Sequence, residues 1–186
     1  MMKVTKRDWI TAAVQQLAKY GVDQVKVEVL AKQMKVSKGS FYWHFKNRPD
    51  LLNTVFDYWE KETNQLINIA NQAETPADRL KRLFESIGQL ANEFGGYAID
   101  TAIFNWARHD AQIKERVDRV EHNRIDFVAN LLEADGRPPE KARFQAEVVY
   151  LALLGYIDRS NRDPALRTEE TFQQFSTYLI ERLAQG

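Results

Sequence analysis

An all-helical fold is predicted by three observations on this chain of 186 residues. Apolar residues recur at i, i+3, i+4 and i+7 almost throughout, no segment of four or more residues alternates strictly enough to demand a strand, and helix start and stop signals recur along the whole length. About nine helices are expected. Three form a small N-terminal head, and the rest form a larger body packed against it.

Taken in order, Ile10, Ala13, Val14, Leu17 and Ala18 lie on one face of a first helix. Thr5 and Asp8 are placed as a capping pair, and Tyr20-Gly21 is the stop. A short segment from Val27 to Met34 follows, and a tight turn at Lys35-Val36-Ser37 joins it to another short helix, Lys38 to Phe45, which Ser37 can cap. Asn47, Pro49 in the first turn and Asp50 at the third helical position open a long helix to about Gln72. Thr75-Pro76-Ala77-Asp78 begins the next, with Leu80, Leu83, Phe84, Ile87, Leu90, Ala91 and Phe94 in one stripe until Gly95-Gly96. Helices at about Ala98 to Arg108 and Ala111 to Ala134 come next, the second ended by Asp135-Gly136. Pro138-Pro139 starts a helix to about Ser160 that is apolar on every face between Val148 and Ile157, so both sides need cover. After a loop from Asn161 to Arg167, Thr168 caps a last helix with Phe172, Phe175, Leu179 and Leu183 on one face.

Charge is distributed unevenly. The whole chain balances 26 Lys and Arg against 26 Asp and Glu, yet residues 1–50 carry ten basic against four acidic groups, a net +6, leaving −6 on the remainder. A basic head on an acidic body is the footprint of a polyanion-binding module attached to something else. A composition of 44% hydrophobic and 28% charged residues excludes disorder. The longest apolar run, Val148 to Ile157, is about half of the ~20 residues a membrane span needs. No spanning segment or signal peptide is expected, nor any membrane partner, and a cytoplasmic location is the expectation. The chain has no cysteine, which removes thiolate nucleophiles and thiolate metal sites.

The head has the proportions of a helix-turn-helix, three short helices within about 45 residues. Its most specific stretch is Val36-Ser37-Lys38-Gly39-Ser40-Phe41-Tyr42-Trp43-His44-Phe45-Lys46-Asn47-Arg48-Pro49-Asp50-Leu51-Leu52. A helix entering the major groove needs small residues in its first turn, so that the backbone can approach, and polar or cationic side chains around them. Gly39 and Ser40 meet the first need. Lys38, Tyr42, His44, Lys46 and Arg48 meet the second, the last two as a clamp on the phosphate backbone. Phe41 and Phe45, four apart, should turn inward and lock the helix to the first one. Tyr42, Trp43 and His44 are successive and span about 200° of a helix, so they cannot all enter one small core.

This stretch, together with Leu30-Ala31 and Gly21 upstream, resembles the signature of the TetR (tetracycline repressor) family of bacterial transcription regulators. The detailed resemblance covers roughly residues 5–55. It implies that Ser37, Lys38, Gly39, Ser40, Tyr42, Trp43 and His44 lie near DNA, with Phe41 and Phe45 in the core. Two positions depart from the pattern. Lys35 stands where the family often has glycine, so a left-handed conformation costing roughly 1 kcal/mol is expected there. Val25-Lys26 replaces a Thr or Ser cap, which leaves the placement of Lys26 and Glu28 against phosphates open; Glu28 can read a cytosine or face solvent.

The expected division is a DNA-binding domain over residues 1–47 and an effector-binding and dimerisation domain over 48–186. The resemblance implies an effector cavity in the body. Its candidate lining is Trp59, Phe84, Tyr97, Asp100, Phe104, Asn105, Trp106, Arg108 and Tyr150, although aromatic residues at helical spacing are more often core. Val148, Leu151, Ala152, Gly155, Phe172, Phe175 and Leu179 are the expected dimer interface. His109 and His122 match no strong metal spacing, and Glu115, Asp118 and Glu121 beside Arg116, Arg119 and Arg124 read as an exposed, charge-laced helix. Neither a metal nor a cofactor is expected. The composite expectation is a homodimeric repressor that binds a pseudo-palindromic operator in double-stranded DNA under the control of a small-molecule effector. The alternative is a helical nucleic-acid-binding or architectural protein without effector control. An enzyme is not expected, because no nucleophile with its base, phosphate loop or metal set is visible.

Overall fold

The computed structural model describes residues 4–93 and 98–184. Among them there are nine α-helices, two 3-10 turns and no strand: α1 (Lys6–Tyr20), α2 (Val27–Gln33), α3 (Lys38–Tyr42), α4 (Arg48–Ala70), α5 (Pro76–Glu93), α6 (Ala98–Ala107), α7 (Ala111–Ala134), α8 (Pro139–Arg162) and α9 (Glu169–Ala184). The 3-10 turns are Val22–Gln24, between α1 and α2, and Pro164–Leu166, before α9. The expected stop at Gly95-Gly96, and Phe94 and Tyr97 beside it, lie outside the described residues.

Local chemistry sets the helix ends. At α1 the Thr5 hydroxyl accepts from the Asp8 amide, and the Asp8 carboxylate accepts from the Thr5 amide at 2.7 Å, a reciprocal box. At α4 the Asp50 amide donates to Asn47 Oδ1 at 2.9 Å, while the Asp50 carboxylate accepts from the amide of Lys46, one residue before the cap, at 2.8 Å. At α5 the Thr75 hydroxyl accepts from the Asp78 amide at 3.1 Å and donates to the Asp78 carboxylate at 2.6 Å, and Thr168 caps α9 by accepting from the Thr171 amide at 3.1 Å. The α2 end is a Schellman turn, with the Val36 amide reaching the Ala31 carbonyl and the Lys35 amide reaching Lys32. Lys35 has φ 57°, the left-handed conformation expected of it, and is the one non-glycine residue with positive φ among those described. Gly136, with φ 93°, ends α7 in the same way.

Two compact units divide the chain, Met1–Glu62 with Ala98–Lys114, and Thr63–Tyr97 with Glu115–Gly186. Two of the three boundaries fall inside α4 and α7. In the first unit α6 packs on α1, and the core gathers Trp9, Leu17, Leu30, Phe41, Phe45, Leu51, Val55, Phe56 and Ile103. The buried face of α1 includes Trp9 and Ala12, which the sequence reading passed over, while Ile10 and Ala18 are half-buried. Trp9 stands at i−3 and i−4 from Ala12 and Ala13, so the helical period itself contained that signal. In the second unit α5 packs on α9, with Leu80, Phe84, Val128, Leu132, Ala142, Ala146, Val149 and Phe172 at the centre. Gly88 permits this approach: a Cβ built there would lie 2.9 Å from Phe172 Cδ1.

The charge-laced face expected on α7 is only partly exposed. Arg119 pairs with Glu115 in solvent, but Glu121 accepts from the Tyr150 hydroxyl at 3.0 Å, and Arg124 donates to Thr63 Oγ1 at 2.8 Å, both half-buried. Burial, more than these charges, pushes the Tyr150 phenol well above the ordinary tyrosine range.

Candidate nucleic-acid interface

The helix that the sequence places in the groove is shorter than expected, ending at Tyr42 rather than Phe45. The His44 amide reaches back only three residues, to the Phe41 carbonyl, and this tightened turn delivers the chain to the Asn47 cap. Its inner face is aromatic. Phe41 is fully buried, edge-on to Trp9 at 5.2 Å and stacked on Phe45 at 5.4 Å, and the Lys6 ammonium lies 5.1 Å over the Phe45 ring. With that side consumed by the core, the other side must face out. Tyr42 is 65% exposed and Trp43 87%, and Ser37, Lys38, Gly39 and Lys46 are exposed around them.

Gly39 has no structural reason to be glycine. Its φ is not in the left-handed region, and an added Cβ would meet only Ser37 Oγ, at 3.7 Å. A glycine inside a helix costs roughly 1 kcal/mol against alanine. Ser40 is half-buried beside it.

The charged groups have partners that sequence spacing did not reveal. Lys38 Nζ pairs with Glu28 Oε1 at 3.0 Å, and this hydrogen bond above all holds the Glu28 carboxyl below its usual range. Glu28 thus links α2 to α3. Lys26, at the start of α2, is exposed and makes no side-chain cap there. His44 is half-buried with Nε2 at 3.1 Å from the Val4 carbonyl, which ties the residue before the first cap to the turn that follows α3. Arg48 is half-buried as well. Its Nε donates to the Val25 carbonyl at 2.7 Å and its Nη2 to the Val22 carbonyl at 2.6 Å, so the guanidinium expected on phosphate spans the two ends of the α1–α2 connection.

Of the candidate effector residues, Trp59, Asp100, Phe104, Asn105, Trp106 and Arg108 fall in the first unit. Trp59 is buried and donates from Nε1 to Asp100 Oδ1 at 3.0 Å, with Phe56 and Phe104 edge-on to its ring at 5.2 and 6.3 Å. Phe56 also meets Trp106 at 6.5 Å. Asn105 and Arg108 are exposed. Phe84 and Tyr150 belong to the second unit, both buried, and Tyr97 lies outside the described residues.

Among the candidate interface residues, Val148, Leu151 and Gly155 line an exposed apolar strip of α8, with Ala152 half-buried beside them. Phe144, at i−4 from Val148 and 66% exposed, extends the strip, and Tyr178 on α9 is exposed too; neither was singled out in the sequence. Phe172 is only 7% exposed, held between Phe84 and Tyr156, and Phe175 stacks on Tyr156 at 4.5 Å. Leu179 is half-buried against the same core.

A buried aromatic inner face, an outward basic and aromatic outer face, and a Schellman turn before them together define a helix-turn-helix protein. Residues 10–55 match the model of the bacterial regulatory proteins of the tetR family. The transcriptional regulator AcrR of Shigella flexneri is 30% identical over 81 residues, which is 44% of this chain and 37% of that protein. A TetR transcriptional regulator from Legionella pneumophila superposes with a TM-score of 0.77 over 98% of this chain and 99% of that one, at 16% identity. A structure from Saccharomonospora viridis in complex with choline gives 0.79 over 95% of each chain, at 14% identity. At such identities the two structures establish the shared fold. The chain spans little more than a third of the length of the Shigella relative it matches.

Proposed function

We propose that this protein is a sequence-specific, DNA-binding transcriptional repressor that acts as a homodimer and is released or recruited by a small molecule. The observation that carries the reading is the two-sided segment of α3 and the turn after it: Phe41 and Phe45 fill the core while Lys38, Gly39, Tyr42, Trp43 and Lys46 face outward. Ser37, Ser40, His44 and Lys26 complete the proposed DNA surface. Residues 1–47 then serve as the reading domain and residues 48–186 as the effector and dimer domain. The exposed α8 strip of Phe144, Val148, Leu151 and Gly155 supports dimerisation, since a large apolar patch on a helix facing water calls for a partner. A two-fold axis would place two recognition helices on half-sites about 34–36 Å apart, or a multiple of that.

The effector half of the reading rests on the aromatic group Phe56, Trp59, Phe104 and Trp106, with the Asp100 carboxylate bonded to it, and on the choline complex of the Saccharomonospora relative. Selection of bound sequences from random duplex DNA tests the whole. The expected result is enrichment of one pseudo-palindrome. Binding that enriches no sequence would overturn the reading in favour of an architectural protein.

A further inference from the structure

Arg48 occupies the first position of α4, where a cation after the recognition helix reads most simply as a phosphate contact. Its geometry is different. The guanidinium points back into the head, with Nε on the Val25 carbonyl at 2.7 Å and Nη2 on the Val22 carbonyl at 2.6 Å. These carbonyls lie on the short turn that delivers the chain into α2, whose N-cap residue Lys26 supplies no side-chain bond, as Ser37 supplies none at α3. Two residues along the same first turn of α4, Asp50 accepts from the Lys46 amide, so the exit of the recognition segment is held there too. One turn of α4 therefore grips the entry to α2 on one side and the end of the reading segment on the other. Glu28, in the first turn of α2, in turn holds Lys38 at the start of the recognition helix.

We propose that Arg48 is a positioning residue for sequence readout: through the Val22 and Val25 carbonyls it fixes α2, and with it the Glu28–Lys38 pair, relative to the recognition helix. The inference rests on the DNA-binding reading above and assigns Arg48 a different part in it from that of Lys46. A planar fork bridging two acceptors is something lysine cannot reproduce, whereas a phosphate accepts either cation.

The full-length Arg48→Lys variant separates the two roles. Affinities for the selected site and for a random duplex are measured by fluorescence anisotropy over a range of salt concentrations. A positioning role predicts at least a threefold fall in the ratio of site to random affinity, an unchanged random-duplex affinity and an unchanged salt slope, because the charge is kept. Amide exchange over residues 22–30 should quicken in parallel. A ratio within threefold of wild type overturns the proposal. Should the variant fail to fold by circular dichroism, the Arg48 Nε–H resonance of the wild-type protein decides: it should be protected in the free protein and keep its position in the complex with DNA. Its transfer to a phosphate on binding would likewise overturn the proposal. Absence of any site preference in the wild-type protein defeats the DNA-readout reading instead, and the free-protein resonance still tests the clamp.

Discussion

Replacing Lys35 with glycine should make the protein more stable although it removes a side chain and adds none. Lys35 sits at the αL position of the Schellman turn between α2 and α3, at φ 57°. An L-residue held there costs roughly 1–2 kcal/mol, through the crowding of Cβ against the following carbonyl. Glycine removes that crowding but loses more backbone freedom on folding, a penalty of roughly 0.5–1 kcal/mol. The Lys35 side chain is exposed, so its deletion uncovers no core, and the net gain expected from Lys35→Gly is about 0.5–1 kcal/mol. Urea unfolding at fixed protein concentration, followed by circular dichroism, measures this from the shift in midpoint at constant slope. Two controls bracket the cause. Lys35→Ala retains the Cβ and should change little, while Lys35→Val places a branched Cβ at positive φ and should destabilise. If glycine is no more stable than alanine, strain at this turn is not what the positive φ represents. DNA affinity is the wrong readout here, because the substitution also removes a cation from the basic head.

The remaining expectations use different assays. Gly39→Ala should stabilise the head by up to about 1 kcal/mol through helix propensity while weakening binding to the selected DNA site, and unchanged binding would count against close backbone approach at that turn. Gly88→Ala forces a Cβ to within 2.9 Å of the buried Phe172 ring; overpacking of roughly 1–3 kcal/mol outweighs a helix gain of about 1, and adding Phe172→Leu should recover part of the loss in thermal unfolding. The Thr5 amide, followed by its hydroxyl, holds the Asp8 carboxyl below the ordinary carboxylate value. Because the folded chain binds that proton less tightly than the unfolded one, the contribution is complete above about pH 4 and is lost as pH falls through the lower folded value. A carbon-13 titration should place the Asp8 midpoint below that of an unstructured aspartate, with Thr5→Ala moving it part of the way back; a midpoint at the unstructured value would contradict the box. Leu151→Asp should convert a dimer to a monomer in sedimentation without loss of helix, and a dimer that survives it would remove α8 from the interface.

Much of this architecture depends on neighbours within four residues along the chain, and that part was legible in the sequence. The box at Thr5–Asp8, the caps at Asn47–Asp50 and Thr75–Asp78 and the αL turn at Lys35 need no distant partner. The inward pair Phe41 and Phe45 follows from one turn of helical spacing, which fixes a shared face before any tertiary contact forms. Tertiary structure decided what long or polar side chains reach. Arg48 found the Val22 and Val25 carbonyls, His44 found Val4, and Lys38 found Glu28 ten residues upstream. Trp59 found Asp100, 41 residues away. It also settled which of two apolar faces is spent at home: Phe172 turned into its own core, while Phe144, Val148 and Leu151 remained on the surface. The physical reason is the same in each case. Helical period and cap chemistry act through the local backbone and are written in spacing, whereas a flexible side chain with several possible acceptors, or a helix with two apolar sides, takes its partner from whatever element the fold places beside it.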